Sequence, residues 1–212
     1  DAAEVDMLTG TQSNQIKTLI VDNQQRLWLG SANGVSVITL PESEEQGFSV
    51  WQPEELKSQK ISHIYQDRNN KIWLATAQGL FRLESDGESF LHIEQEKQNP
   101  YSLSDSQLTY LFQDRGNVFW VGSIKGLNKW NTATSNFDHI REAADKSKSL
   151  SGSYVNSFYE GKDNQIWIGS LSGLDLLDEK TRDIQHFRAE ENNTNSLRSN
   201  RVMTLYSKNG DE

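Results

Sequence analysis

The stretch IYQDRNNKIWLATAQGLFRL, residues 64–83, decides the fold because its pattern recurs along the chain. Every copy has a Trp, an aliphatic residue, Gly or Ala, Ser or Thr, two variable residues, Gly, and then Val or Leu. The tryptophans of successive copies lie 45, 47 and 47 residues apart. Self-similarity at such a fixed period indicates a repeat architecture. The four copies are RLWLGSANGV (26–35), KIWLATAQGL (71–80), VFWVGSIKGL (118–127) and QIWIGSLSGL (165–174).

The similarity continues upstream of each Trp. An aliphatic residue stands twelve positions before it, and an aliphatic or aromatic residue stands nine positions before it. An Asp stands six positions before the first three tryptophans, whereas the fourth copy has Gly161 there. Val202, Leu205 and Tyr206 match the start of the fourth copy, so we expect a fifth copy to begin here. Its Trp would fall beyond Glu212, which predicts a chain cut within a repeat.

Each copy contains four short runs with strand character. In the second copy these are ISHIYQ, KIWLAT, LFRLE and SFLHIE, with the turns DRNN and AQG between the first three. Runs of β-branched and aromatic residues between turn signals favour strands over helices. The Gly of the AQG turn supplies the positive φ that a tight hairpin requires. Each copy is therefore predicted to be a four-stranded antiparallel meander.

Such a sheet must bury both faces, and radial stacking of like sheets achieves this. Four strands in a repeat of about 40–50 residues are typical of a β-propeller. We therefore predict an all-β chain, a single incomplete propeller over residues 1–212, with each repeated Trp packed between neighbouring blades. An open stack of sheets or a β-sandwich is the alternative. The predicted blades are residues 15–51, 60–93, 107–140 and 154–187, followed by the first strand of a fifth blade at 201–206.

The composition narrows the functional classes. A net charge of −9 argues against nucleic acid and anionic membranes as partners, because phosphates need a basic surface. The absence of Cys excludes disulfides, thiolate catalysis and Cys-based zinc sites. No phosphate-binding loop and no nucleophile elbow occur, so we expect no cofactor and no enzyme of those classes. No apolar stretch approaches the roughly 20 residues that cross a bilayer. If the protein is exported, its signal precedes Asp1.

The strings IYQDRNNKIWLATAQGLFRL (64–83) and LFQDRGNVFWVGSIKGLNKW (111–130) resemble the two-component regulator propeller repeat. That family often carries an Asn-Ser-Leu-Ser segment upstream, and YSLS (101–104), KSLS (148–151) and NSLR (195–198) are similar to it. The resemblance covers nearly all of the chain from Ile16 onward. The departures are Ala75 in place of Gly, Gly161 in place of Asp, and no Ser-Leu segment before the first copy.

The resemblance implies a periplasmic ligand-sensing region of a bacterial signalling protein anchored in the inner membrane. In such proteins the propeller precedes a transmembrane helix and a cytoplasmic histidine kinase or diguanylate cyclase. The sequence contains none of these output parts, so this role rests on analogy of fold.

Two sets of repeated polar residues have structural interpretations. We expect the aspartates to cap the turn after the first strand, by accepting backbone N–H bonds, rather than to bind calcium. His92, His139 and His186 recur every 47 residues, but each lies in the outermost strand of its own blade. Sheets packed about 10 Å apart cannot bring three rings within the roughly 2 Å that zinc requires. We therefore predict solvent-facing histidines and no metal site. The aspartates are Asp22, Asp67 and Asp114.

The candidate ligand site consists of residues that differ between copies at the start of the first strand. This strand lies nearest the propeller axis, where variable polar residues would line the mouth of the central channel. Alternatively, they merely face the water of that channel. We expect the long loops 52–60, 94–106, 141–153 and 188–200 and the short turns 31–34, 76–79, 123–126 and 170–173 to share that face. The predicted ligand-binding residues are Lys17, Ser62, His63, Thr109, Tyr110 and Asn156.

Lys17, His63 and Tyr110 offer a cation, a titratable ring and an aromatic hydroxyl, which would suit a small polar or sugar-like ligand. The favoured function is a non-enzymatic sensor. A propeller enzyme, such as a lyase or a glycan-active protein, and a protein-interaction scaffold are the alternatives. Open blade edges also predict self-association, or dimerisation in the parent protein, unless residues 5–9 and 201–206 cover them.

Overall fold

A computed structural model describes residues 15–39, 47–131, 136–141, 146–162 and 165–206. Within these ranges the structure has sixteen strands and two short 3-10 helices, Glu54–Leu56 and Lys146–Lys148. Neither helix has the length or apolar character that a membrane crossing requires. The strands are β1 Ile16–Val21, β2 Arg26–Ser31, β3 Gly34–Thr39, β4 Ser49–Trp51, β5 Ile61–Gln66, β6 Ile72–Thr76, β7 Gly79–Leu83, β8 Phe90–Ile93, β9 Leu108–Gln113, β10 Phe119–Ser123, β11 Gly126–Asn131, β12 Asn136–Ile140, β13 Val155–Glu160, β14 Gln165–Ser170, β15 Leu174–Asp178 and β16 Ile184–Phe187.

The strands form four separate four-stranded antiparallel sheets. In each sheet the strands pair in chain order, β1 to β4, β5 to β8, β9 to β12 and β13 to β16. Within the described residues, no strand pairs with a strand of another sheet. A Greek-key sandwich would require strands from distant parts of the chain to pair in one sheet. The prediction of four consecutive meanders is confirmed, and the β-sandwich alternative is wrong.

The chain divides into two compact units. The first contains the two N-terminal sheets together with Leu108–Leu111 of β9, and the second contains residues 95–105 and everything after Leu111. In the first unit, Trp28 of the first sheet is fully buried and packs in one cluster with Ile61, Ile64 and Leu74 of the second sheet. The Trp therefore lies between two neighbouring sheets, as predicted.

The second unit buries the same kinds of residue. Trp120 is 1% exposed, and the rings of Phe112 and Phe158 are stacked with centroids 6.1 Å apart. Trp167 departs from the prediction of full burial, because it is only half-buried. Leu150, from the second Ser-Leu segment, is 1% exposed, so this segment contributes to the core.

Residues 201–206 correct one prediction, because they form no strand. The N–H of Val202 nevertheless donates to the carbonyl of Ser170 (2.9 Å), at the end of β14. A Cβ at Gly169 would lie 2.8 Å from Val202 Cγ1, just as a Cβ at Gly30 would lie 2.7 Å from Ile61 Cγ2. Val202 therefore packs on the fourth sheet as the first residue of the next blade would. Residues 5–9, predicted to pair with this segment, lie outside the described residues.

Candidate functional site

The repeated aspartates form the turn between the first two strands of a sheet. Oδ1 of Asp22 accepts the N–H groups of Gln24 and Arg26, both at 2.9 Å, and Asp67 accepts the equivalent pair. The predicted capping role is confirmed. Oδ2 accepts a further bond that the sequence analysis missed, from the indole N–H of the Trp six residues later. These bonds are 2.9 Å for Trp28, 2.8 Å for Trp73 and 2.7 Å for Trp120.

The pKa values of two of these buried carboxylates, Asp22 and Asp114, are shifted in opposite directions. Burial alone would raise the pKa of Asp22, but hydrogen bonds from Trp28 and Arg26 together with the Arg26 charge hold it below its ordinary value. At the position of Arg26 the third copy has Val118, and burial raises the pKa of Asp114 despite the bond from Trp120. The charges of Glu179 and Glu160 also raise the pKa of Asp114, whereas Arg26 adds hydrogen bonds and a positive charge beside Asp22. These aspartates are committed to the turn and are not candidates for catalysis.

A hydroxyl before each glycine turn was also missed. The side-chain oxygen of Thr76 donates to the carbonyl of Gly79 (2.9 Å) and accepts the N–H of Gln78 (3.0 Å). Ser31, Ser123 and Ser170 make the same pair of bonds, and all four hydroxyl residues are fully buried. The fixed Ser or Thr three residues before Gly was the available signal.

The three repeated histidines correct the prediction that they simply face solvent. His92 is exposed, yet it stacks on Phe81 with ring centroids 4.1 Å apart and bonds to the Gln78 carbonyl at 2.9 Å. His139 and His186 are half-buried, and they bond at 2.7 Å to the Ser102 carbonyl and to Asp175 respectively. They attach the inter-blade segments and turns to their sheets. Within the described residues no group of His, Cys, Asp and Glu could hold a metal ion.

Ser151, His186 and Asp175 resemble a hydrolase triad in composition only. The hydroxyl of Ser151 lies 3.0 Å from His186 Nδ1, and Asp175 Oδ1 lies 2.7 Å from the same nitrogen. A triad needs the Ser and the Asp on opposite ring nitrogens, so that the ring can move a proton from one side to the other. Asp175 also accepts the N–H of Ser151 (2.8 Å). The cluster is therefore a structural clamp.

Three of the six predicted ligand residues lie where the first strand of a sheet departs from regular pairing. The pairing shifts between Ile16 and Thr18 in β1, and the equivalent shifts in β5 and β13 occur at Ser62 and Asn156. Lys17, Ser62 and Asn156 are therefore the extra residues of β-bulges, which often re-aim a side chain next to a functional site. Lys17 is exposed, whereas Ser62 and Asn156 are half-buried.

The first unit brings His63 and Tyr110 together. Their rings are stacked with centroids 3.9 Å apart, and His63 Nδ1 accepts the N–H of Leu111 (3.2 Å). Burial lowers the pKa of His63 to about 4 and raises that of Tyr110. His63 is therefore uncharged near neutral pH. It fixes one inner strand against the next, as Thr18 does by accepting the N–H of Ile64 (3.2 Å).

The remaining predicted residues have less specific surroundings. The hydroxyl oxygen of Thr109 is buried in the first unit, without a hydrogen-bond partner among the described residues. Asn156 lies in the second unit and donates its amide to the carbonyl of Val202 (2.9 Å). The first unit therefore contains five of the six predicted residues. Among these five, the stacked pair of His63 and Tyr110 has the most specific contacts.

Two of the long loops share one internal design that was not predicted. In loop 94–106 the hydroxyl of Ser102 donates to the carbonyl of Asn99 (2.9 Å) and accepts the N–H of Glu96 (3.0 Å). In loop 188–200 Ser196 makes the same bonds with Asn193 and Glu190 at 2.9 Å. Both loops are thus closed on themselves by a Ser of the Ser-Leu segment.

Comparisons with known proteins bear on the family and on the fold. A family model described as two component regulator propeller matches residues 55–78 and 149–172. No curated protein matches the sequence.

Among solved structures, the extracellular domain of a B. thetaiotaomicron protein named as a one-component system is similar, with a TM-score of 0.71 and 20% identity. The match covers 91% of this chain and 24% of that one. A domain named as part of a B. thetaiotaomicron hybrid two-component system has a TM-score of 0.68 and 21% identity, over 83% of this chain and 25% of its own.

Virginiamycin B lyase from Staphylococcus aureus is also similar, with a TM-score of 0.59 and 16% identity over 84% of this chain and 56% of its own. The chain thus spans about a quarter of the two extracellular domains and about half of the lyase. At these identities the likeness concerns the fold alone. Together with the repeated sheets it shows that the fold is that of propeller blades. Two segments of the chain, residues 55–78 and 149–172, are similar to the repeat of the two-component regulator propeller family.

Proposed function

We propose that the chain is part of the extracytoplasmic sensing propeller of a membrane-bound bacterial signalling protein, and that it works in the periplasm as a binding module without catalysis. The observation that carries this proposal is the match of two separate repeats to the regulator propeller family. The extracellular domains with the same fold are named as parts of signalling systems, which supports the same role.

The proposed ligand is small and polar or sugar-like, and it binds at the bulged starts of the inner strands. The rings of His63 and Tyr110 offer a neutral stacking surface, and the exposed Lys17 offers a cation. Ser62 and Thr109 add uncharged hydrogen-bonding groups in the same unit, whereas Asn156 lies in the second unit and bonds to Val202. A neutral His63 suits an uncharged ligand. Because its Nδ1 accepts the N–H of Leu111, its proton lies on Nε2, which can donate a hydrogen bond without imposing a charge.

The ligand proposal is tested first with a panel of mono- and oligosaccharides in a thermal-shift screen. A saccharide that raises Tm is then titrated by calorimetry into the variant in which Lys17, His63 and Tyr110 are all alanine. We expect affinity at least about tenfold weaker, the effect of losing one good contact.

Because His63 also supports the fold, a second variant combines Lys17→Met with Tyr110→Phe. It keeps the packing and removes an ammonium and a hydroxyl. Lys180→Ala, an exposed Lys on the turn between β15 and β16, is the control. Unchanged affinity in both folded variants would move the site elsewhere.

A propeller enzyme is the second candidate, favoured by the fold shared with virginiamycin B lyase. The described residues offer no triad. Asp22 and Asp114 bind in turns, Asp175 binds Ser151 and His186, and Asp105 pairs with Lys125 at 2.7 Å. Mass spectrometry distinguishes the two functions. A saccharide ligand recovered unchanged after long incubation supports a sensor, and a cleaved product supports an enzyme.

We also propose that the protein associates with itself through its first sheet, on the face that does not pack against the second sheet. Leu19 and Val21 of β1 are 61% and 53% exposed, whereas Ile64, the residue equivalent to Leu19 in the next sheet, is 1% exposed against the first sheet. Large exposed apolar residues on such a face favour association.

Sedimentation over a range of concentrations should therefore show a reversible oligomer, and Leu19→Glu should shift it to monomer. Leu91→Glu, an exposed residue on the outermost strand β8, should not. A wild-type protein that stays monomeric at every concentration would exclude this interface.

A further inference from the structure

A cavity of about 310 Å³ lies within the first unit, where the first and second sheets meet. Four of its lining residues belong to β2, β3 and β4 of the first sheet, and two belong to the turn between β7 and β8. Its volume is at the small end of the range for ligand pockets. The residues that line it are Arg26, Val37, Thr39, Trp51, Gly87 and Glu88.

The first copy differs from the second and third copies at Val37, whereas the fourth copy is also apolar at this position, with Leu176 opposite Trp167. Val37 pairs across the strands with Trp28, as Arg82 pairs with Trp73 and Lys129 pairs with Trp120. A short Val therefore stands where the next two copies carry a long cationic side chain.

Each of those cations lies over the ring of the Trp in its own copy. Arg82 lies 5.4 Å from the ring centre of Trp73 and bonds to Glu84 at 2.7 Å. Lys129 lies 5.4 Å from the ring centre of Trp120 and bonds to Glu179 of the following sheet at 2.6 Å. In the first copy Arg26 of β2 takes the place over the ring, 5.3 Å from the ring centre of Trp28, and the short Val37 leaves space beside it that is open to a ligand.

One wall of the cavity combines a cation with a fixed aromatic ring. Arg26 donates from Nε to Asp22 (2.7 Å), and its terminal amino groups donate to no acceptor in the described part of the chain. Trp51 is half-buried, stacked on Phe90 at 6.0 Å and edge-on to Trp28 at 6.1 Å. Arg26 can therefore donate hydrogen bonds to an anionic group of a ligand. Trp51 presents an apolar surface that its contacts with Phe90 and Trp28 hold in place.

The opposite sheet carries a carboxylate on a rigid turn. Asp86 accepts the Ser89 hydroxyl (2.5 Å) and the N–H groups of Glu88 and Ser89 (both 3.0 Å). These bonds, that of the Ser89 hydroxyl first, lower the pKa of Asp86 to about 2, so its carboxylate is ionised at neutral pH. They hold the backbone of the exposed Glu88 at the cavity, where its carboxylate can reach a ligand.

We propose that this cavity binds a free α-amino acid with an apolar or aromatic side chain. Arg26 binds the carboxylate through its terminal amino groups, Glu88 binds the ammonium group, and Val37 and Trp51 contact the side chain. A zwitterion uses both charges of the cavity, whereas a simple anion or cation would use one and oppose the other. This site is separate from the bulged inner strands, and it does not depend on the sensing proposal.

The test is isothermal titration of the 212-residue chain with L-phenylalanine, phenylacetate and phenethylamine. We expect saturable binding of L-phenylalanine. Phenylacetate, which lacks the ammonium group, and phenethylamine, which lacks the carboxylate, should each bind at least about tenfold more weakly, the cost of one lost charged contact.

Two kinds of variant locate the site. Val37→Lys restores the side chain found in the third copy and should abolish binding, whereas Val50→Lys adds the same side chain at a 40% exposed position on β4 and should not. Glu88 is exposed, so Glu88→Gln should leave the fold intact. It should weaken the binding of L-phenylalanine by about tenfold without weakening that of phenylacetate, whose carboxylate Glu88 repels.

The proposal would be overturned if L-phenylalanine failed to bind the wild-type chain. It would also be overturned if L-phenylalanine bound the folded Val37→Lys variant with unchanged affinity. Val37→Met, which fills part of the space without a charge, replaces the Lys variant if that variant does not fold. Phenylacetate binding as tightly as L-phenylalanine would exclude the contact with Glu88 and with it the amino-acid assignment.

Discussion

Replacing Trp28 with alanine is expected to lower the free energy of unfolding by about 3–5 kcal/mol, the usual range for deleting a large buried aromatic. Trp28 is fully buried, and it packs against Ile61, Ile64 and Leu74 of the second sheet. Its removal would leave a cavity where two sheets meet, and a short meander cannot collapse to fill it. Urea denaturation followed by far-ultraviolet circular dichroism measures the loss.

Trp28→Phe separates the ring from its N–H group. Most of the packing is kept, but Asp22 loses the 2.9 Å bond from the indole, and a buried carboxylate without that donor costs about 1–3 kcal/mol. The lowered pKa of Asp22 means that its contribution is present at neutral pH and is lost as pH falls through the folded-state pKa. The difference between wild type and Trp28→Phe should therefore shrink in acid.

Leu91→Ala is the control, because Leu91 is 40% exposed on β8 and should change stability by less than about 0.5 kcal/mol. A loss below about 1 kcal/mol for Trp28→Ala would contradict the placement of the Trp between sheets.

The repeat made the fold predictable because each part of it has a local physical cause. Gly79 has a φ of 131°, and Asp67 accepts the N–H groups of its own turn, so both requirements can be read within a few residues. Trp73 recurs because every blade needs one large apolar residue on the same face. These signals are short in range and repeated, and the four meanders follow from them.

The candidate site was less predictable because its chemistry depends on contacts between copies. His63 and Tyr110 are 47 residues apart, and their stacking and the resulting low pKa of His63 arise only when two inner strands lie side by side. The bulges at Lys17 and Ser62 also depend on pairing, which no single position reveals. The cavity beside Val37 could not be predicted from the first copy alone, because the side chain of Val37 is recognised as short only beside Arg82 and Lys129 of the next two copies.

Gly79→Ala is expected to destabilise the protein by at least about 3 kcal/mol, because two penalties act together. Its φ of 131° is a conformation that L side chains rarely adopt. An added Cβ would also lie 2.5 Å from the Ile93 carbonyl oxygen and 2.9 Å from His92 Nε2. The turn cannot move away freely, because the hydroxyl of Thr76 holds the Gly79 carbonyl at 2.9 Å.

Gly87→Ala is the matched control, because Gly87 also has a positive φ, 77°, but an added Cβ there meets nothing within 4 Å. It should cost only the conformational penalty, about 1–2 kcal/mol. The two variants therefore separate backbone strain from steric overlap in the same sheet. Equal losses in urea denaturation would mean that β8 moves aside without cost, and the close approach of Ile93 to the glycine turn would then not be what requires Gly in every copy.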